Sequence, residues 1–389
     1  MIVEETANIL VVDDEPRNIK ILQIQLQTRG YIVRTACDGE EALDSIKKDA
    51  PDLILLDINM PKIDGFEVVK RVRADKNTEF IPIIMITALR DTQENRIKAV
   101  EAGADDFIEK PFNSFEVLAR IKSLLRIKQY HDTLEEYNTR LESELQMARN
   151  VQEILIPKNG PQEIGAFKIA SHCSPALAVG GDFYDLWEID ENRMGFLISD
   201  VMGHGASAAL ITVFIKTILS EHRDVVDDNP AEIIRLLNTR FNDMISTHLF
   251  MFATAFCGVI DLKSKELVCA NAGHPFPFLR SDSDSSYTLI TNGHSGNGLG
   301  IWRESEYENC RYTFEHSSRM FLYTDGAYEV KNSKGEEFSV ERLKDVVSEC
   351  ENERPMDLIE YVSQSISTFS DTSPNPDDLT LIVVQGNLN

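Results

Sequence analysis

The side chains best suited to chemistry in this 389-residue chain are aspartates placed where short apolar runs give way to turns. Asp13 and Asp14 follow NILVV, Asp57 ends LILLD, Thr87 ends PIIMIT and Lys110 ends DFIEK. Three carboxylates drawn together repel one another unless a cation sits among them. Mg²⁺ suits a site made only of oxygen ligands. A carboxylate beside Mg²⁺ and an ammonium is placed to attack a phosphoryl group and form an aspartyl phosphate. Asp57 is the central carboxylate of this set. Lys110 would neutralise phosphate oxygens, and Thr87 would hydrogen-bond one.

A second acidic series follows: GGDFYD (180–185), ISDVMGHG (198–205), LYTDGAYE (322–329) and NPDDLTLIVV (375–384). A Gly-rich turn between a strand and a helix often cradles phosphate with backbone N–H groups. ISDVMGHG has that form but lacks the lysine, and its Asp200 would repel phosphate. Glycine lets backbone come close to a ligand, and no Cys or His accompanies all four segments. Four acidic turns rich in oxygen suit two hard cations. Two ions about 3.5–4 Å apart share a bridging water, lower its pKa and clamp a phosphoryl group. ISDVMGHG is therefore expected to hold metal, and the metal to hold the phosphate. In DDLT the first choice is Asp377 and the second Asp378, since spacing alone does not choose. Asp185 is a candidate for orienting ligands or water. His204 and His274 fit structural or supporting roles better than zinc ligation, and GNGLG (296–300), with no Lys-Ser/Thr after it, reads as a plain loop.

The elements that must position these residues are legible as patterns. Strand-like runs at 8–12, 31–36, 53–57, 82–87 and 106–110 alternate with helical spacing at 16–29, 39–48, 65–74, 92–102 and 114–125. That alternation predicts an α/β unit with a doubly wound five-stranded parallel sheet, whose ligands bind beyond the carboxyl ends of the strands. Residues 115–156 contain no Gly or Pro, and Ile127, Leu134, Leu141, Ala148 and Leu155 recur every seven residues. This predicts a long helix with a coiled-coil seam, impure at Tyr130, Tyr137 and Leu145. From about residue 160, strand runs in antiparallel pairs and grouped helices predict an α+β layered domain.

VVDDE, LLDINMP, ITA and EKPF in that order resemble the receiver domain of bacterial response regulators over residues 7–126. The resemblance implies that Asp57 accepts phosphate from a sensor histidine kinase. It implies Mg²⁺ held by Asp14, Asp57 and the Asn59 backbone, with Thr87 and Phe107 as the switch pair. The four later motifs, with ARNVQEILIP and ANAGHP, resemble metal-dependent serine/threonine phosphatases of the PPM type, in the bacterial SpoIIE-like branch. That likeness covers about 145–386 and implies an αββα sandwich with a dinuclear Mn²⁺ or Mg²⁺ centre. By that resemblance Asp182, Asp200 and Asp325 carry over as metal ligands, and Val201, which follows Asp200, would contribute only its backbone. The division expected is a receiver domain over 1–126, a helical coiled-coil linker over 127–158 and a phosphatase domain over 159–389. The branch also implies a phosphorylated STAS-type anti-anti-sigma protein as substrate. A homodimer through the linker helix is expected.

Composition narrows the alternatives. The net charge is −25, from 64 acidic and 39 basic residues, which argues against nucleic acid or an anionic membrane as the main partner. No basic helix-turn-helix follows the receiver-like segment. The longest apolar stretch, ALITVFIKTIL, is shorter than the roughly 20 residues a bilayer needs, and the acidic N-terminus is no signal peptide. Six scattered cysteines without a CxxC fit reduced thiols and a cytoplasmic location. The rival class is a non-catalytic adaptor that binds a sigma factor or its regulators. A complete aspartate set favours the enzyme.

Overall fold

The computed structural model describes residues 7–88, 98, 101–203, 205–223, 229–246, 251–281, 286–291, 295–350, 354–371 and 377–387. The chain forms two compact units, Met1–Arg140 and Leu141–Asn389.

In the first unit the strands are β1 (Asn8–Val12), β2 (Ile32–Ala36), β3 (Leu53–Asp57), β4 (Ile83–Ala88) and β5 (Asp106–Lys110). They form one parallel sheet in the order β2-β1-β3-β4-β5. The near-continuous apolar runs follow from burial on both faces. Leu10, Leu56 and Met85 pack on one side with α2 (Gly39–Lys48) and α3 (Gly65–Arg73). Ile9, Leu55 and Ile84 pack on the other with α1 (Pro16–Gln27), whose Leu22 and Leu26 are buried. Asp38 and Asp64 cap α2 and α3 by accepting the N–H of Glu41 and Glu67, which fixes where those helices start. The helix expected over 92–102 lies largely outside the described residues.

Helix α4 runs unbroken from Ser114 to Leu155. Val117, Leu118 and Ile121 anchor its first turns in the sheet core. Beyond them, Ile127, Tyr130, Leu134, Tyr137 and Leu141 are all more than half exposed. They share one helical face at alternating three- and four-residue spacing. The repeat ends further on: Ala148 and Leu155 are half-buried and Gln152 is buried. The boundary between the two units falls within α4.

The second unit is a four-layer αββα sandwich. One six-stranded sheet has the order β14-β11-β10-β9-β8 with β15 also on β11. Its strands are β8 (Asp182–Asp190), β9 (Arg193–Val201), β10 (Ala253–Asp261), β11 (Glu266–Ala272), β14 (Ser295–Gly296) and β15 (Cys310–Thr313). The other has the order β13-β12-β16-β17-β7-β6. It contains β6 (Gly160–Ile164), β7 (Phe167–Ser174), β12 (Phe278–Arg280), β13 (Thr288–Leu289), β16 (Arg319–Tyr323) and β17 (Leu379–Gly386). Strand alternation distributes the core: Phe196, Ile198 and Phe256 meet Met320, Leu322 and Ile382 between the sheets. Leu197 and Cys257 face α5 (Ala206–Glu221) and α6 (Pro230–Phe241). Phe321, Leu381 and Val383 face α7 (Val340–Glu349) and α8 (Pro355–Ser370). The sequence hid β6 and β8, because acidic and turn residues interrupt both.

Candidate functional site

At the carboxyl edge of the parallel sheet, Asp13, Asp14 and Asp57 bring one carboxylate oxygen each within 4.8 Å of the others. Among the described residues this is the one such group of three. Lys110 Nζ donates to Asp13 Oδ2 and to Asp57 Oδ2, both at 2.8 Å. Asp13 is held from behind by the Glu15 N–H and the Asn18 amide. Burial raises the Asp57 carboxyl above its ordinary range, against the pull of Lys110. Burial also works against the Lys110 ammonium, but its bonds to Asp13 and Asp57 outweigh it and hold the group protonated. Thr87 is buried near the end of β4, and Asn59 is exposed in the turn after β3. Phe107 is half-buried against the α3 side of the core. The donor set fits Mg²⁺: carboxylates only, with one exposed member, Asp14, open to solvent.

The second series gathers at one end of the sandwich, though among the described residues no three of its carboxylates lie as close together as the first set. Asp182 begins β8 and sits directly across from Asp200 on β9, which in turn faces Thr254 on β10. The other sheet contributes Thr324 and Asp325 after β16 and Asp377-Asp378 before β17. Asp182 Oδ2 accepts the hydroxyls of Thr324 and Thr380 at 2.7 and 2.6 Å, so this carboxylate bridges the sheets. Its Oδ1 is buried with no hydrogen-bond partner. Glycines permit the close approach: a Cβ on Gly181 would fall 2.6 Å from the Val201 carbonyl oxygen, and one on Gly326 would fall 2.0 Å from that of Asp378.

The electrostatics are those of crowded like charges. Burial, then Asp200 and Asp378, pushes Asp182 well above the carboxylate range. Asp200 rises to about 7 through burial and then Asp325, Asp377 and Asp378. Asp325 rises to about 6 through burial and then Asp377. An oxygen-only ring with an unsatisfied buried carboxylate oxygen and raised acid pKa values fits divalent cations, which would return these groups to their ionised form.

The two candidates in DDLT separate in the structure. Asp378 is buried, and its oxygens accept the N–H groups of Ala176 at 2.7 Å and Gly181 at 2.5 Å. It therefore cradles the turn that carries Asp182. Asp377 is exposed and acts on Asp200 and Asp325 only through its charge. Asp185 departs from expectation. Alternation along β8 turns it to the helical side, where it pairs with Lys216 at 2.7 Å and Arg223 at 2.5 Å. His204 lies outside the described residues. GNGLG is structural: Leu299 exchanges two backbone hydrogen bonds with Ala253.

One residue of the site was not singled out in the sequence. Gln152 of α4 is buried, donates to the Gly180 carbonyl at 2.7 Å and accepts the Gly180 N–H at 3.3 Å. It also lines a cavity of about 290 Å³ that reaches Asp182. It lies within ARNVQEILIP, but the helical pattern does not pick it out, because a glutamine on a charged helix reads as solvent-facing.

Comparison with known proteins places both units. The model for Stage II sporulation protein E (SpoIIE) matches residues 190–387, and that for a response regulator receiver domain matches 9–122. The chain is 47% identical over 123 residues to a probable transcriptional regulator ycf27 of Guillardia theta, covering 32% of this chain and 47% of that protein. It is 48% identical over 118 residues to the alkaline phosphatase synthesis transcriptional regulatory protein PhoP of Bacillus subtilis, covering 30% and 48%. The chain thus spans about half the length of these curated relatives. Among solved structures, the SiaA-PP2C domain of Pseudomonas aeruginosa superposes with a TM-score of 0.55 at 19% identity, over 65% of this chain and 99% of that one. The RsbU and RsbW domains of Rv1364c from Mycobacterium tuberculosis give 0.50 at 21%, over 60% and 63%. At these identities the likeness is one of fold.

Proposed function

Because the chain belongs to the SpoIIE phosphatase family and carries a response regulator receiver domain ahead of that unit, we propose that it is a metal-dependent protein serine/threonine phosphatase controlled by phosphorylation of Asp57. The observation that carries this reading is Asp182, a buried carboxylate with one oxygen unsatisfied, set opposite Asp200 in a ring of raised acids. Asp182, Asp200, Asp325 and Asp377, with the Val201 carbonyl, would hold two Mn²⁺ or Mg²⁺ ions. Bound there, the ions supply Lewis acidity for water and charge neutralisation for a phosphoryl group. Thr324 and Thr380 fix the Asp182 carboxylate, and Asp378 fixes the backbone that presents it.

In the receiver, Asp57 would take the phosphoryl group from a sensor histidine kinase. Asp13, Asp14 and the Asn59 carbonyl would help hold Mg²⁺, and Lys110 and Thr87 would bind the phosphoryl oxygens, with Phe107 following Thr87 in the switch. The route from one unit to the other is α4, continuous from the receiver core to Gln152 at the Gly180 turn. A small shift of a rigid element at a packed contact is an established form of switching. The exposed stripe from Ile127 to Leu141 supports a parallel homodimer along this helix.

The substrate is proposed to be a phosphorylated STAS-type anti-anti-sigma protein. The test is a phosphatase assay with Mn²⁺ on such a phosphoprotein, comparing the wild type with Asp200→Ala and Asp57→Ala. Turnover in the wild type that is abolished in Asp200→Ala supports the enzyme. Equal inactivity of all three supports the adaptor.

A further inference from the structure

His274 is buried in the connection that carries the chain from β11 in one sheet to β12 in the other. Its backbone is pinned by Asn271, whose side chain accepts the His274 N–H at 2.8 Å and donates to the His274 carbonyl at 2.9 Å. The ring is aimed across the sandwich. Nδ1 lies 2.8 Å from the Thr254 hydroxyl. Nε2 is buried with no hydrogen-bond partner, and the Tyr323 backbone of the other sheet is near enough to act on the ring. With the proton on Nε2, Nδ1 accepts from the Thr254 hydroxyl. Burial drives the imidazole pKa down to about 3, so the ring stays neutral at working pH.

Both ends of this strut adjoin the acidic ring. Thr254 faces Asp200 across the β9–β10 ladder. Tyr323 ends β16, one residue before Thr324, which holds Asp182, and two before Asp325. We propose that His274 is a positioning residue of the metal site, setting the separation between the Asp182–Asp200 edge of one sheet and Asp325 on the other. The inference rests on the reading of those aspartates as metal ligands. Groups that orient metal ligands without touching the ion typically change affinity by roughly 10–100-fold when removed.

The experiment is calorimetric titration of the full chain with Mn²⁺, beside melting of the metal-free protein, for wild type, Thr254→Val, His274→Ala and His274→Gln. Thr254→Val keeps shape and deletes only the hydroxyl. The proposal expects it to bind Mn²⁺ about tenfold or more weakly, with a metal-free melting temperature close to wild type. His274→Ala should bind as weakly or worse, and His274→Gln should recover part of the loss. Wild-type affinity in Thr254→Val overturns the proposal, and so does a loss of affinity accompanied by a comparable loss of metal-free stability. If His274→Ala does not fold, Thr254→Val decides alone. A wild type that binds no Mn²⁺ overturns the metal-site reading itself. A wild type that binds, with variants that match it, overturns only the role of His274.

Discussion

Asp377 and Asp378 are adjacent and chemically identical, yet their surroundings assign them opposite tasks. Asp378 accepts the backbone N–H groups of Ala176, Gly181 and Asp182 in a buried turn, and Asp377 acts through its charge on the carboxylates of Asp200 and Asp325. Asp378→Ala should destabilise the metal-free protein by about 3 kcal/mol, since it strands buried donors. Asp377→Asn should leave metal-free stability near wild type and weaken Mn²⁺ binding. Urea unfolding and calorimetry check the pair, and the reverse pattern would exchange the two roles. Sequence spacing left this choice open because it depends on where distant amides point. A second consequence at this scale concerns pH. Asp325 near 6 and Asp200 near 7 lie above the usual carboxylate value of about 3.9. The folded state therefore binds more protons than the unfolded state between those values, and stability falls as pH rises through the window. Burial of neutral His274 adds stability up to about pH 6.5, so the metal-free melting temperature should drop from pH 6.5 to pH 8, and saturating Mn²⁺ should restore it most at pH 8. A melting temperature that rises over that range without metal contradicts the crowded-acid account.

Elements were legible to the degree that burial is simple. The parallel strands read as plain apolar runs because both faces are covered, and β9 and β17 because Phe196, Ile198, Ile382 and Val384 alternate toward the inter-sheet core. Strand β8 was not legible: Asp182, Asp185 and Asp190 break its apolar pattern, although each has a structural reason to be there. Helix α4 was legible as a helix from its freedom from Gly and Pro. Its change of environment near Ala148, where the seam positions turn toward their own domain, was not. The stripe Ile127, Leu134 and Leu141 is more than half exposed, which is expensive unless a partner covers it. Leu134→Glu together with Leu141→Glu should convert a dimer into a monomer by light scattering while leaving the melting of the phosphatase unit unchanged. A wild type that is monomeric at high micromolar concentration would remove the coiled-coil dimer from the account.

At the scale of the whole molecule, the chain joins a receiver domain to a SpoIIE-family unit through a single helix. If that helix carries the signal, a small-molecule phosphoryl donor should change the phosphatase rate of the wild type and leave Asp57→Ala unaffected. Gln152→Ala, which cuts the contact of α4 with the Gly180 turn, should flatten the same response while Asp57 still labels with phosphate. An unchanged response in Gln152→Ala would move the coupling elsewhere. All of this depends on the acidic ring of the second unit binding divalent ions. The most direct measurement is diffraction at the manganese absorption edge from crystals of the protein grown with Mn²⁺. The account predicts two anomalous peaks within coordination distance of Asp182, Asp200, Asp325 and Asp377, with Asp378 still bound to the backbone of the Gly181 turn. No peak among those carboxylates at saturating Mn²⁺ would contradict it.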